Sequence, residues 1–81
     1  MFFTGLMVKI FSKPQCVQCA MTQRTLDRQG VSYEVVDVSK DAVAAEQLQA
    51  WGYRQVPVVQ VGEEHWSGFR PERLASIAAN A

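Results

Sequence analysis

Residues 7–30 read MVKIFSKPQCVQCAMTQRTLDRQG, and this stretch decides the fold. Met7 to Phe11 alternates weakly and is rich in β-formers, which predicts a strand. Ser12-Lys13-Pro14-Gln15 predicts a turn, because Pro14 has a fixed φ and no N–H to give a ladder. From Cys16 the pattern is helical. Val17, Ala20, Met21, Leu26 and the aliphatic stem of Arg24 are expected to share one broad face, with Gly30 as the C-terminal stop. A strand, a turn and a helix therefore set Cys16-Val17-Gln18-Cys19 at a strand-to-helix junction.

Outward from this unit, Val31 to Val38 predicts a second strand, and Ser39 is the candidate N-cap of a second helix. Ala44, Ala45, Leu48 and Trp51 have helical spacing there, and Gly52 ends the run. Val56 to Val61 is the third strand, with Pro57 at its entrance. Gly62-Glu63-Glu64 turns into a short fourth strand near His65-Trp66. Pro71 suits the first turn of a last helix, and Glu72 suits its positive end. Residues 78–81 are expected to fray. The order β-α-β-α-β-β-α implies parallel first and second strands joined by a right-handed crossover. The last two strands form an antiparallel hairpin. The expected class is α/β and thioredoxin-like, a four-stranded mixed sheet flanked by helices.

With 81 residues there is room for one small domain, expected over 7–81. Residues 1–6 read as a leader or an expression remnant, with Met7 as a second start. A content of 48% hydrophobic and 20% charged residues excludes a disordered chain. Eight basic residues balance eight acidic ones, so nothing draws the chain generally to nucleic acid or anionic lipid. No apolar run has membrane-spanning length. The start lacks the basic and apolar regions of a secretory signal. The expected state is a cytoplasmic monomer. In a reducing compartment a pair of cysteines is seldom a structural staple, so chemistry is sought there first.

Cys16 falls at a helix start, where free backbone N–H groups and the helix dipole favour a thiolate. Lys13, just upstream, adds to that field. Cys19 lies within the first turn, close enough to close a disulfide. The outer sulfur can attack a partner's disulfide, and the inner one can then resolve the mixed disulfide. Val17 and Gln18, between them, influence the potential. The alternatives are a metal site or two inert buried thiols. Zinc normally takes four ligands, and two cysteines with the lone His65 supply too few. A copper chaperone would share the Cys-x-x-Cys loop but needs a different element order. His65 reads as a surface hairpin residue, and Trp51 and Tyr53 as packing.

A proline opening the third strand of a thioredoxin-like sheet is commonly cis and faces the cysteine pair. Pro57 is expected to do so, although cis is rare among X-Pro bonds in general. The Val56 backbone is then free to pair with an extended substrate segment.

With the cysteine pair, Val56-Pro57 and Trp66-Ser67-Gly68-Phe69-Arg70-Pro71-Glu72 in view, the chain resembles the NrdH-redoxins, of the glutaredoxin branch of the thioredoxin superfamily. The resemblance runs from about Met7 into the last helix. It implies an electron donor to class Ib ribonucleotide reductase, recharged by thioredoxin reductase with NADPH. It implies that Cys16 and Cys19 are the redox pair, that Pro57 is the cis-proline, and that no cofactor is bound beyond the redox-active disulfide. A typical glutaredoxin carries Gly-Gly, a small polar residue and Asp after the hairpin, which hold glutathione's γ-glutamyl end. Here Gly68 keeps close backbone approach, but Phe69 and Arg70 follow it. Arg70 cannot accept hydrogen bonds from an ammonium group. Lys13 still resembles a partner for glutathione's carboxylate, so a glutathione-dependent glutaredoxin is the nearest rival reading. Trp66 is expected in the core or at its rim. Phe69 is expected to be partly exposed beside the disulfide, and Arg70 is either solvated or a contact for an acidic partner.

Overall fold

The computed structural model describes residues 7–80, with side chains as far as Ile77. The leader reading of residues 1–6 lies outside the described residues.

Strand β1 (Val8–Ser12) is covered on both faces because its side chains alternate. Val8 and Ile10 enter one apolar cluster, and Phe11 enters the other. β1 pairs in parallel with β2 (Glu34–Asp37), the two being joined by α1 (Val17–Arg28). On its other side β1 pairs antiparallel with β3 (Val58–Val61), setting Ile10 opposite Val59 and Phe11 opposite Val58. β3 in turn pairs antiparallel with β4 (Glu64–Ser67), so the sheet order is β2-β1-β3-β4. Helices α2 (Ala42–Ala50) and α3 (Pro71–Asn80) complete the chain. This is the thioredoxin-like order read from the sequence.

The two clusters explain why Val58 and Val59, adjacent in sequence, are both fully buried: each faces a different layer. Val59 joins Leu26 of α1, Trp66 of β4, and Leu74 and Ile77 of α3. Val58 joins Ala44 and Leu48 of α2, with Trp51, Tyr53 and Val56 at its edge. Leu26, Leu74 and Ile10 are each 0% exposed, and burying each contributes roughly 1.5–3 kcal/mol.

Several local expectations change. Helix α1 keeps only part of the face read from the sequence: Leu26 is buried and Ala20 half-buried. Val17 is 74% exposed and Met21 39% exposed; Arg24 is also exposed, and Cys19, Thr22 and Leu26 form the buried line. Cys16 caps the helix, with position 19 facing inward and position 17 outward. Thr22 tolerates burial because its hydroxyl donates to the Gln18 carbonyl at 2.9 Å. The N-cap of α2 is Asp41 and not Ser39. Asp41 Oδ1 accepts from the Ala44 N–H at 3.0 Å, while Ser39 turns back and donates from both N–H and hydroxyl to Asp37 Oδ1.

Gly30 and Gly52 do end their helices, at φ 72° and 87°. The Gly30 N–H donates to Asp27 and that of Val31 to Leu26; Gly52 and Tyr53 repeat the pattern with Gln49 and Leu48. These paired bonds satisfy the last carbonyls and need a left-handed residue at the glycine. Because Val31 belongs to this closure, β2 begins only at Glu34. Helix α3 continues to Asn80, past the point where fraying was expected, anchored by buried Leu74 and Ile77.

Candidate redox site

The site begins where β1 ends. Pro14 and Gln15 form a tight turn, and Gln15 has a positive φ of 61°. The chain is thereby reversed, and Cys16 arrives as the N-cap of α1 with extended backbone, φ −104° and ψ 109°. Its sulfur takes the place a serine or aspartate oxygen takes in an ordinary cap. The Cys19 N–H donates to Cys16 Sγ at 3.2 Å, and the Ala20 N–H donates to the Cys16 carbonyl at 3.1 Å. A donor aimed at the sulfur, at the positive end of a helix, stabilises a thiolate on Cys16 more than a thiol.

Cys16 and Cys19 form a disulfide with their Cα atoms 5.2 Å apart, inside the span such bonds occupy. The two sulfurs are not equivalent. Cys19 is 2% exposed, packed under the first turn, while Cys16 is half-buried at the surface. An incoming group therefore meets Cys16 first.

Opposite the pair, the Val56–Pro57 peptide is cis, and Pro57 is buried. Cys16 Sγ lies 3.9 Å from the Val56 carbonyl oxygen. In the disulfide the sulfur carries no proton, so this is a contact; a reduced thiol would have an acceptor there. The Gly68 N–H donates to the Pro57 carbonyl at 2.8 Å, which brings the segment after β4 to the proline. β3 begins only at Val58, so Val56 and Pro57 stand outside the strand.

A groove of about 960 Å³ opens beside Cys16. Among the residues predicted for the site it gathers Lys13, Cys16, Val17, Gln18 and Val56. It does not gather Phe69 or Arg70. Phe69 is half-buried against the cluster of β1, α1 and α3, and Arg70 forms an ion pair with Glu72 at 2.9 Å at the start of α3. Trp66 is 6% exposed and belongs to the same cluster as Phe69, with the Arg73 guanidinium 5.2 Å from its ring centroid.

The groove also has walls that the sequence reading missed: Leu48 and Gln49 of α2, then Tyr53, Arg54 and Gln55. The last three precede Val56-Pro57 directly, so they share its edge; adjacency to the proline was the signal available for them. No acidic side chain is among the lining residues. Tyr53 also packs, as expected, but with a partner that was not foreseen. Its hydroxyl is hydrogen-bonded to His65 Nδ1 at 2.7 Å and donates to the His65 carbonyl oxygen at 3.2 Å. The His65 ring stacks on Trp51 with centroids 4.0 Å apart. His65 lies in the hairpin as expected, but only partly exposed: the aromatic pair Trp51 and Tyr53 holds it half-buried. Among the described residues no three His, Cys, Asp or Glu side chains group together as a metal site would require.

Comparison with known proteins agrees with this geometry. The model of the Glutaredoxin family matches residues 8–66. The glutaredoxin-like protein NrdH of Escherichia coli K12 is 42% identical over 67 residues, covering 83% of each chain. That of Salmonella typhimurium LT2 is 40% identical over 79 residues, covering 91% of this chain and 98% of its own. Among solved structures, the NrdH-redoxin of Escherichia coli, described as having a thioredoxin-like activity profile, superposes with a TM-score of 0.82. It is 40% identical, over 85% of this chain and 91% of that one. A buckwheat glutaredoxin in complex with glutathione superposes at 0.74 with 26% identity, over 93% of this chain and 78% of the other.

Proposed function

This chain belongs to the glutaredoxin family, in its NrdH-like branch, and we propose that it is the dithiol–disulfide carrier that reduces class Ib ribonucleotide reductase and is itself recharged by thioredoxin reductase. The observation that carries the redox half is the asymmetry of the pair: Cys16 open at the helix cap, Cys19 buried behind it. The Cys16 thiolate attacks one sulfur of the partner's disulfide. A mixed disulfide forms, and the partner's second sulfur leaves as a thiolate and takes a proton. Cys19 then loses its proton and attacks Cys16 Sγ. The partner's first sulfur leaves, and the chain keeps the Cys16–Cys19 disulfide. Two electrons have passed to the partner. Thioredoxin reductase runs the same steps in reverse, and the FAD and NADPH of that cycle belong to the reductase. The carrier itself needs no bound cofactor and works as a cytoplasmic monomer, without nucleic acid or membrane. Among the described residues no helix is long and apolar enough to cross a membrane.

The choice of partner rests on the segment after β4. Gly68 meets the proline loop, but the residues that follow it are Phe69 and Arg70, which give no acid to hold glutathione's ammonium. In this reading the groove beside Val56 takes an extended protein segment, whose backbone pairs with Val56 while its side chains lie along Val17, Tyr53 and Gln18, all of which line it. A tripeptide has fewer contacts with which to compensate. The test follows NADPH consumption with thioredoxin reductase and, separately, with glutathione and glutathione reductase, at matched protein concentration. Faster recycling by thioredoxin reductase supports the reading. Faster recycling by glutathione moves the chain to the glutathione-dependent glutaredoxins.

A further inference from the structure

We propose that Gln15 is a positioning residue for the attacking sulfur, through its left-handed backbone and not through its side chain. Among the described residues it is the one non-glycine residue with a positive φ, at 61°. Its side chain is exposed and makes no hydrogen bond with the described residues. Nothing about the side chain explains why this residue holds a conformation that L-residues seldom adopt.

The surroundings explain it. Ser12 is fixed in the sheet opposite Asp37, and its carbonyl accepts the Val38 N–H at 2.9 Å. Cys16 is fixed four residues later by the cap bonds to Cys19 and Ala20. Three residues must reverse the chain between these anchors. Pro14 has its φ fixed near −65° by its ring. A turn with proline second and a positive φ third follows the type II pattern, whose third position ordinarily takes Gly or Asn. Returning residue 15 to negative φ would flip the peptide leaving Pro14 and rotate Cys16 off both its contacts, the Cys19 N–H and the Val56 carbonyl. Strain held at one residue next to a nucleophile, by structure on either side, is the pattern expected where conformation serves chemistry.

The inference rests on Cys16 as the attacking sulfur. The test uses the reduced full-length protein and the variants Gln15→Gly, Gln15→Asn and Gln15→Val. The first two accept the left-handed region, while a β-branched residue resists it. The readout is the midpoint of the pH profile for alkylation of Cys16 by iodoacetamide, with the labelled residue identified by peptide mass spectrometry. Circular dichroism checks the fold. Gln15→Gly and Gln15→Asn should keep the wild-type midpoint. Gln15→Val should move it upward, towards an ordinary thiol. For a shift of about one pH unit the thiolate below the midpoint falls about tenfold, offset about threefold by the greater nucleophilicity of the more basic sulfur. The rate there drops about threefold, so the midpoint is the sharper measure.

A Gln15→Val protein that folds and keeps the wild-type midpoint overturns the proposal. So does a Gln15→Gly profile displaced as far as that of Gln15→Val. If Gln15→Val does not fold, Gln15→Ala decides: an upward shift supports the proposal, and a superimposable profile overturns it. Labelling of Cys19 first would instead refute the assignment of the nucleophile, which separates the two failures.

Discussion

Alkylation of the reduced protein should label Cys16 far ahead of Cys19, and the structure sets the size of the gap. Cys19 is 2% exposed, so a reagent reaches it only when the first turn of α1 opens. Opening breaks the Cys19 N–H bond to Cys16 Sγ at 3.2 Å and the Ala20 N–H bond to the Cys16 carbonyl at 3.1 Å. At about 1 kcal/mol net for each bond, with a further fraction for exposing the Cys19 side chain, the opening costs about 2–3 kcal/mol. Every 1.4 kcal/mol is tenfold, so Cys19 should react about 30- to 150-fold more slowly at equal intrinsic reactivity. A thiolate already on Cys16 opposes a second negative charge beside it, which widens the ratio. The assay is a short pulse of iodoacetamide on the reduced protein at neutral pH, quenched and read by peptide mass spectrometry. Comparable labelling of the two residues, or Cys19 labelled first, would refute the assigned order. In the matching variants, Cys19→Ser should accumulate a mixed disulfide through Cys16, and Cys16→Ser should form none.

Asp41→Ala removes the side-chain cap of α2 and should lower stability by about 1 kcal/mol, whereas Ser39→Ala, which leaves that cap in place, should cost less; denaturant unfolding compares them. Leu26→Ala opens a cavity at a fully buried site and should cost about 2–5 kcal/mol by the same measurement. The Asp37 carboxyl is held below the usual carboxylate range, first by the Ser39 hydroxyl and then by the Ser39 N–H. Glu72 is held low by its own N–H and by Arg70. Groups with lowered folded-state values stabilise above their ordinary range, and that contribution is lost as pH falls through the folded-state values. Asp37→Asn should therefore weaken the protein at neutral pH and flatten its loss of stability in acid, followed by thermal unfolding across a pH series.

Much of this was legible in the residues because the signals were local. Gly30 and Gly52 read as helix ends, and both carry the left-handed closures that only the backbone of a glycine makes easily. Cys16 read as a helix start because a turn with Pro14 stands before it. What misled depended on contacts distant in sequence. On α1 only Leu26 of the expected face is fully buried; Thr22 takes a buried place because its hydroxyl is paired within the helix, and Val17 stays exposed. Ser39 and Asp41 are both good capping residues, and the choice between them was made by Asp37, which captures Ser39. His65 lacked any local sign of its partners, since Trp51 and Tyr53 reach it only after α2 folds across the sheet. Phe69 follows Gly68, which touches the proline loop, yet its ring packs into the layer under α1 and α3.

The central claim is tested most directly by deoxyribonucleotide formation. Oxidised class Ib ribonucleotide reductase is supplied with NADPH, thioredoxin reductase and this protein as the sole intermediate carrier. Continuous turnover is predicted with the wild type and none with Cys16→Ser. Cys19→Ser should stop at the mixed disulfide and leave a covalent complex that dithiothreitol releases. Turnover sustained by the Cys16→Ser protein, or an equal rate with no carrier added, would contradict the account.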